Sequence, residues 1–338
     1  MTEELSPLER ELPRRLVVIG DLNAFGGILV RVLRGLRLIN AEHHWSGGRT
    51  VVVQLGDVPN RGPSARAAME LLLALGPEAR EAGGDVLWLL GNHEVLSALR
   101  HEAYVTAEEY LEFATPPELE VFFQERTRFQ YQFLGLPRDD GSVPPMAGLL
   151  RAWEDENAPG REEYQRAMGP SGRLGRAIRR LPIAVRFGPV LLVHGGLSPK
   201  WADFGIEGLS KLAARAWAQK PTSYEALDPH SILRDPLGPV WNRVYCLSSA
   251  ERVGSDLSEA LRMVGAAQMI VGHTRTDAAP DGVPGRPLVR HRGRLIMADV
   301  GLGDPGEPPA VLVIERGRIE VWTPGGGRSR VADIRLRR

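Results

Sequence analysis

Five short clusters hold most of the residues in this chain that could do chemistry together. They are Gly20-Asp21, Gly56-Asp57 followed by Arg61-Gly62, Gly91-Asn92-His93-Glu94, His194-Gly195-Gly196, and Gly272-His273-Thr274. Their donors are carboxylates, amides and imidazoles, with no thiolate, a set suited to borderline-hard divalent cations. Each cluster follows a short apolar run: LVVI, VVVQL, VLWLL, VLLV and MIV. Such runs read as buried strands. The donors are therefore offered from the carboxyl ends of five strands, where open α/β sheets place their sites. Taken singly, a Gly-Asp pair after a strand is often only a turn, and a lone histidine is usually a packed core residue. Neither reading accounts for five clusters in this order.

The elements that must carry these clusters follow from the same patterning. Strands are expected at 16–20, 50–55 and 86–90, with helical spacing at 26–38 and 64–75 and a further helix beginning at 94–100. Repeated β-α-β implies a parallel sheet with right-handed crossovers. Residues 101–180 change character: they are charged, with scattered aromatics (Tyr104, Tyr110, Phe113, Phe122, Phe123, Phe129, Tyr131, Phe133). They read as a mostly helical insertion, interrupted at 135–148 and 157–160, whose aromatics face a core. Strands resume at 183–187, 190–193, 268–271, 295–299, 310–314 and 318–322, with helices at 207–219 and 256–264. The last two strands flank Arg316-Gly317, a hairpin turn. The expected organisation is a 15–325 domain containing the 101–180 insertion, with polar termini at 1–14 and 326–338. The arginine-rich end reads as a solvated tail.

Composition narrows the function classes. Among 338 residues, Lys+Arg and Asp+Glu are both 42. That balance gives no global argument for nucleic acid or an anionic membrane surface. A single cysteine, Cys246, rules out an internal disulfide framework and reads as a small core residue. The first fifteen residues carry acidic side chains and no apolar stretch, unlike a signal peptide. No apolar run approaches the ~20 residues a membrane span needs. A cytoplasmic location is expected.

The ordered set GD, GD-x-x-x-RG, GNHE, HGG, GHT resembles the calcineurin-like metallophosphoesterases, in their phosphoprotein-phosphatase branch. The flanking text WSGGRT, LGNHEV, YVTAEEY, VHGGLSP, GPVWNRVY and VGHTRT is similar to the bacterial Shewanella-like protein phosphatases. The resemblance spans about residues 15–322. It implies an α/β fold with two central β-sheets flanked by helices and a site for up to two metals on the sheet edge. It further implies that Asp21 binds the first metal, Asp57 bridges both, and Asn92, His194 and His273 bind the second. His93 would be the general acid, and Arg61 and Arg243 would clamp the phosphate. Manganese, iron, zinc or magnesium would suit such a site.

That residue set answers the needs of phosphate-ester hydrolysis. Paired cations lower the pKa of a shared water, ligate phosphoryl oxygens and fix in-line geometry. Arginine forks match phosphate oxygens. A histidine beside a ligand can protonate the leaving oxygen.

Two positions depart from the family pattern. Where the family has GD-x-H-G, this chain has Gly20-Asp21-Leu22-Asn23-Ala24. The first metal loses an imidazole, and Asn23 offers only a weaker amide oxygen. Where the family has GD-x-x-D-R-G, this chain has Asn60 before Arg61, so the carboxylate that would pair with His93 is gone. The expected function is a Ser/Thr-type phosphoprotein phosphatase of low or altered activity acting on a phosphorylated protein or small phosphate ester. The alternatives are a pseudophosphatase that binds a phosphorylated partner or nucleotide, and a dinucleoside-polyphosphate hydrolase.

Overall fold

The computed structural model describes residues 8–133, 146–303 and 308–335. Strands β1 (Glu9–Arg10) and β2 (Arg15–Ile19) precede α1 (Gly26–Gly35). Next come β3 (Val51–Gln54), α2 (Ala65–Glu81), β4 (Asp85–Trp88) and α3 (Asn92–Ala98). The insertion supplies α4 (Ala107–Leu111), α5 (Pro116–Phe133), α6 (Met146–Asn157), α7 (Arg161–Met168) and α8 (Arg173–Ile178). The second half runs β5 (Ala184–Phe187), β6 (Val190–Val193), α9 (Pro199–Ala202), α10 (Gly205–Ala218), α11 (Val244–Leu247), α12 (Ala250–Met263), β7 (Gln268–Val271), β8 (Leu288–Arg290) and β9 (Leu295–Met297). It closes with β10 (Val311–Glu315), β11 (Arg318–Thr323) and β12 (Gly327–Asp333).

These strands form two mixed sheets, ordered β12-β11-β10-β2-β3-β4 and β1-β5-β6-β7-β9-β8. Within them β2, β3 and β4 are parallel neighbours, as are β6 and β7. Successive strand residues point to opposite faces, and both faces are covered, which is why the runs are apolar throughout. Leu16, Val18, Val53 and Leu55 meet Leu192, Ile270 and Ile296 between the sheets. Val17, Ile19 and Val52 belong instead to the larger core built with the helices. Stacking the sheets brings the carboxyl ends of β2, β3 and β4 beside those of β6 and β7. His194 Nδ1 lies 2.9 Å from the carbonyl oxygen of Leu55 across that boundary.

The insertion packs onto this body. Tyr164 is fully buried and meets Tyr110 and Phe113 edge-on, with centroids 5.4 and 5.3 Å away. Phe122 is also buried, and Phe129 stacks on Trp153. Tyr104, Phe123 and Tyr131 remain exposed, so the insertion's aromatics divide between core and surface. The side chain of Phe133 and most of the 135–148 stretch lie outside the described residues. Cys246 is fully buried, and the Arg316-Gly317 hairpin joins β10 to β11 in antiparallel register.

The structure differs from the sequence reading at both ends. Glu9–Arg10 pairs in parallel with β5, and Gly327–Asp333 pairs antiparallel with β11. Both are edge strands that bury little, so neither shows apolar alternation, and the charge on β12 suits an unprotected edge. Helix α2 continues through Pro77 to Glu81 because Leu75 and Ala79 extend its buried face.

Candidate active site

Close approach of the strand ends explains the local sequence. A Cβ at Gly56 would sit 2.8 Å from both the Gly91 backbone and His194 Nδ1, and one at Gly272 would sit 2.3 Å from Asp21 Oδ1. Only glycine leaves room at these two points. Several chemistry-bearing residues adopt left-handed backbone: Asn23, Asp57, Asn60, Arg61 and His273, at φ 47°, 56°, 73°, 71° and 60°. Such conformations cost about 1–3 kcal/mol each and persist where the surroundings enforce them. Here the Leu22 and Asn23 amides donate to the Asp57 carbonyl at 3.0 and 2.9 Å, stitching the first two clusters together.

Asp57, His194 and His273, all buried, offer ligand atoms within 4.8 Å of one another. Nε2 of His194 lies 3.2 Å from Asp57 Oδ1 and 3.0 Å from Asn92 Oδ1. Its other nitrogen is committed to the Leu55 carbonyl, the kind of outer contact that fixes a ligating imidazole. Nε2 of His273 faces the Trp241 carbonyl at 3.0 Å, and its Nδ1 is buried with no hydrogen-bond partner. Burial disfavours the charged form of His194, but Asp57 reverses that and lifts it to about 9. Burial, then His194 and Arg243, push His273 well down. Burial alone would raise Asp57, yet His194 and His93 hold it below the usual carboxylate range. The neutral, unpartnered nitrogen of His273 and the oriented Nε2 of His194 fit a divalent cation between them and Asp57, with the Asn92 amide oxygen beside it.

Asp21 accepts the His273 amide at 2.9 and 3.1 Å. Burial raises its pKa well up, and Asp299 and Asp57 add to this. Asn23 Oδ1 is buried and unpartnered, an amide oxygen that fits a weak ligand. Neither residue belongs to the cluster formed by Asp57, His194 and His273.

His93 is buried at the edge of the cradle. Its amide donates to Asp57 Oδ1 at 2.9 Å, its Nε2 lies 3.9 Å from Asp57 Oδ2, and its Nδ1 lies 2.9 Å from Asn60 Oδ1. Burial takes His93 down to about 4; Asp57 opposes this, and the Arg61 and Arg243 guanidiniums reinforce it. Both arginines are exposed. Arg61 lies over the Tyr104 ring, 5.3 Å from its centroid. Arg243 donates to the His273 carbonyl and, at 3.3 Å, to Thr274 Oγ1, so it is anchored to the GHT cluster rather than to the insertion.

Three buried carboxyl groups were given no role from sequence, although Glu94 stands in the third cluster. Glu94 accepts four N–H groups, from Asp57, Val58, Gly91 and the Trp88 indole, at 2.7–3.1 Å. The glutamate three residues after Gly91, at the N3 position of α3, was the readable signal. Asp299 follows β9, which pairs with β7. An aspartate just past a strand end, as in the GD clusters, would have marked it. Burial raises it to about 6. Glu109 meets Asn60 from the insertion, a long-range contact with no local signature.

Known proteins resemble this chain in sequence and in fold. The calcineurin-like phosphoesterase family model matches residues 14–274. Shewanella-like protein phosphatase 2 of Arabidopsis thaliana is 30% identical over 313 residues, covering 90% of this chain and 76% of that protein. Shewanella-like protein phosphatase 1 of Plasmodium berghei is 24% identical over 267 residues, 77% of this chain and 61% of that one. A solved cold-active protein tyrosine phosphatase superposes with a TM-score of 0.69 at 20% identity, covering 97% of this chain and 82% of that one. It shares the two-sheet fold. His273 and Thr274 close the matched span, and Asp21, Asp57, Asn92 and His194 lie within it. The chain therefore belongs to the calcineurin-like phosphoesterases, hydrolases of phosphate esters, and its relatives within them are the Shewanella-like protein phosphatases.

Proposed function

We propose that this chain is a metal-dependent phosphomonoesterase of reduced activity, acting on phosphorylated protein or small phosphate esters. The observation that carries this reading is the buried Asp57, His194 and His273 cluster, with ligand atoms within 4.8 Å, bordered by His93 and by the guanidiniums of Arg61 and Arg243. A divalent cation such as manganese would supply Lewis acidity to phosphoryl oxygens and lower the pKa of a water. Asp57, Asn92, His194 and His273 would hold it. Asp21 with Asn23 forms a weaker second position, because an amide oxygen replaces an imidazole. Arg61 and Arg243 orient the phosphate, and His93 Nε2 delivers the proton to the departing oxygen.

Sequence reasoning favours a serine or threonine phosphoester. A second reading, an aryl phosphate, is favoured by a chain of aromatic rings around the site. Tyr104 touches His93 edge-on at 5.0 Å, His101 bridges Tyr104 and Tyr224, Tyr224 meets Trp241, and Trp241 meets His273. Flat side chains so arranged would embrace an aromatic leaving group. Turnover of an alkyl and an aryl phosphate across several added metals, with metal analysis of the protein, tests both readings. A lower KM for the aryl ester, lost on replacing Tyr104 and Tyr224 by Ala, supports the second. Tight phosphate binding without turnover of either, at any metal, refutes the enzyme reading in favour of a phosphate-binding module.

A further inference from the structure

Behind His93, on the side away from the metal cradle, lies a buried polar group that the hydrolytic reading leaves unused. Asn60 Oδ1 faces His93 Nδ1 at 2.9 Å. Its Nδ2 points the other way, 3.2 Å from Ser97 Oγ and 3.4 Å from Glu109 Oε1. The same Glu109 oxygen accepts the Asn60 backbone amide at 3.3 Å, which the left-handed backbone at position 60 turns toward it. Glu109 is fully buried. It is held by the Thr106 cap of α4: the Glu109 amide donates to Thr106 Oγ1, and Thr106 Oγ1 donates to the Gly62 carbonyl, at 3.2 and 3.1 Å. The insertion is thus tied to the loop that carries Asn60 and Arg61.

An asparagine amide can sit in two orientations, and its neighbours choose between them. With the NH2 toward Glu109 the carboxyl oxygen is satisfied and the amide oxygen meets His93, while the Ser97 hydroxyl, 3.2 Å from Nδ2 and 3.4 Å from Oδ1, fits either orientation. With the amide reversed, its oxygen would face the Glu109 oxygen and its NH2 would face the imidazole. We propose that Glu109 is a positioning residue: by fixing the Asn60 amide it keeps one proton on His93 Nδ1, so that Nε2 is the nitrogen that takes up a second proton from solvent and, from the imidazolium so formed, gives it to the departing oxygen. The partner of one ring nitrogen decides the state of the other. The carboxyl group absent at position 60 is thereby replaced by one from the insertion that acts through the amide. Burial pushes Glu109 up to about 8, so near neutral pH it serves as a hydrogen-bond acceptor and not as a charge. Its Oε2, buried without a partner, accommodates the proton. The inference rests on the proposed role of His93 in hydrolysis, but its first readout does not.

The test uses the full chain with nitrogen-15-labelled histidine, the His93 signals being those lost in His93→Gln. The wild type and Glu109→Gln, which keeps the Oε1 acceptor, should show the Nδ1–H tautomer. Glu109→Leu should show the Nε2–H tautomer or a mixture. In turnover, Glu109→Leu should lose on the order of ten-fold or more in kcat on an alkyl phosphate. Its KM should stay close to wild type, and an aryl phosphate with an acidic leaving group should be little affected. Glu109→Gln should retain most of the rate. An Nε2–H tautomer in the wild type overturns the proposal without any variant, which covers the case of an unfolded Leu mutant. An unchanged tautomer in folded Glu109→Leu overturns it too. Absence of turnover in the wild type would sink the hydrolytic reading alone, and the tautomer measurement would still decide this one.

Discussion

Replacing Glu94 by Gln should cost the fold far more than the loss of one charge suggests. Each carboxylate oxygen serves two donors. Oε1 takes the Val58 amide at 2.7 Å and the Trp88 indole at 3.1 Å; Oε2 takes the Asp57 and Gly91 amides, both at 2.9 Å. A glutamine keeps one oxygen, so in either orientation its NH2 confronts two N–H donors. A buried donor left unsatisfied costs about 1–3 kcal/mol, giving roughly 2–6 kcal/mol for the pair. Against a total stability of about 5–15 kcal/mol, that is a large fraction. Urea unfolding of chelator-treated protein measures the loss without contribution from bound metal. Because in either orientation one of the two unsatisfied donors is the amide of Asp57 or of Val58, metal affinity should fall as well. The pH dependence has a defined sign. Burial and Asp57 raise Glu94 to about 7, so wild type itself gains the proton as pH falls through that value. Because the native value lies above the ordinary 4.5, wild-type stability is lost as pH rises from about 4.5 to 7, so the gap between wild type and Glu94→Gln should be widest below pH ~4.5 and settle to its smallest value above pH ~7. A loss under ~0.5 kcal/mol at pH 8, within the usual scatter of neutral substitutions, would show that the four donors do not depend on an ionised Glu94 and would refute this reasoning.

Purified protein should hold one tight divalent metal, with a second binding only at higher concentration; His194→Ala should strip the tight one and Asn23→Ala should not, and two equally tight metals would contradict this. Asn23→His should strengthen the weak position and raise turnover, read by metal titration alongside kcat. His93, taken to about 4 chiefly by burial, is mostly neutral near pH 7. Asn60→Asp should raise its pKa, move the alkaline limb of the pH–rate profile upward, and help alkyl phosphates more than aryl ones. Glu109, near 8 in the fold against 4.5 as its ordinary value, makes wild-type stability fall as pH rises from about 4.5 to 8. Glu109→Gln should lack this slope, and its stability relative to wild type should improve over that window by on the order of 3–5 kcal/mol at 1.36 kcal/mol per unit; parallel pH profiles of unfolding would refute it.

The strands that carry the site were legible because a strand buried on both faces is apolar throughout, as in Leu16–Ile19 and Val190–Val193, with chemistry concentrated in the turn that follows. The order of the turns is itself enough to mark the family. What stayed hidden depends on distance along the chain. Glu109 is 49 residues from Asn60, and Trp241 is 32 from His273; no local pattern encodes either contact. Edge strand β12 was hidden because its pairing is made by backbone groups, which every residue carries, while the side chains of its first four residues stay in water and only Val331 and Ala332 lean on the core. The left-handed turns at Asp57, Asn60 and Arg61 were hidden because such backbone usually announces itself through glycine, and here neighbouring hydrogen bonds impose it on other residues.

The two asparagines bear on different parts of the chemistry. Asp21, Asp57, Glu94 and Asp299 are all buried, and Asp57 raises each of the other three. Among the described histidines beside them, His194 is shifted toward its cationic form, while His93 and His273 are driven toward neutrality. A buried anionic field with so little internal compensation favours an external cation, and it does so whether position 60 is Asp or Asn. The loss at Asn60 therefore leaves the attraction for metal in place and falls on the proton at His93. The loss at Asn23 falls on ligand geometry beside Asp21 and leaves the Asp57, His194 and His273 cluster whole. Cation binding and proton delivery are thus separable by mutation in this chain. Metal affinity should respond to position 23 and not to position 60, while the leaving-group dependence of the rate should respond to position 60 and, through it, to Glu109.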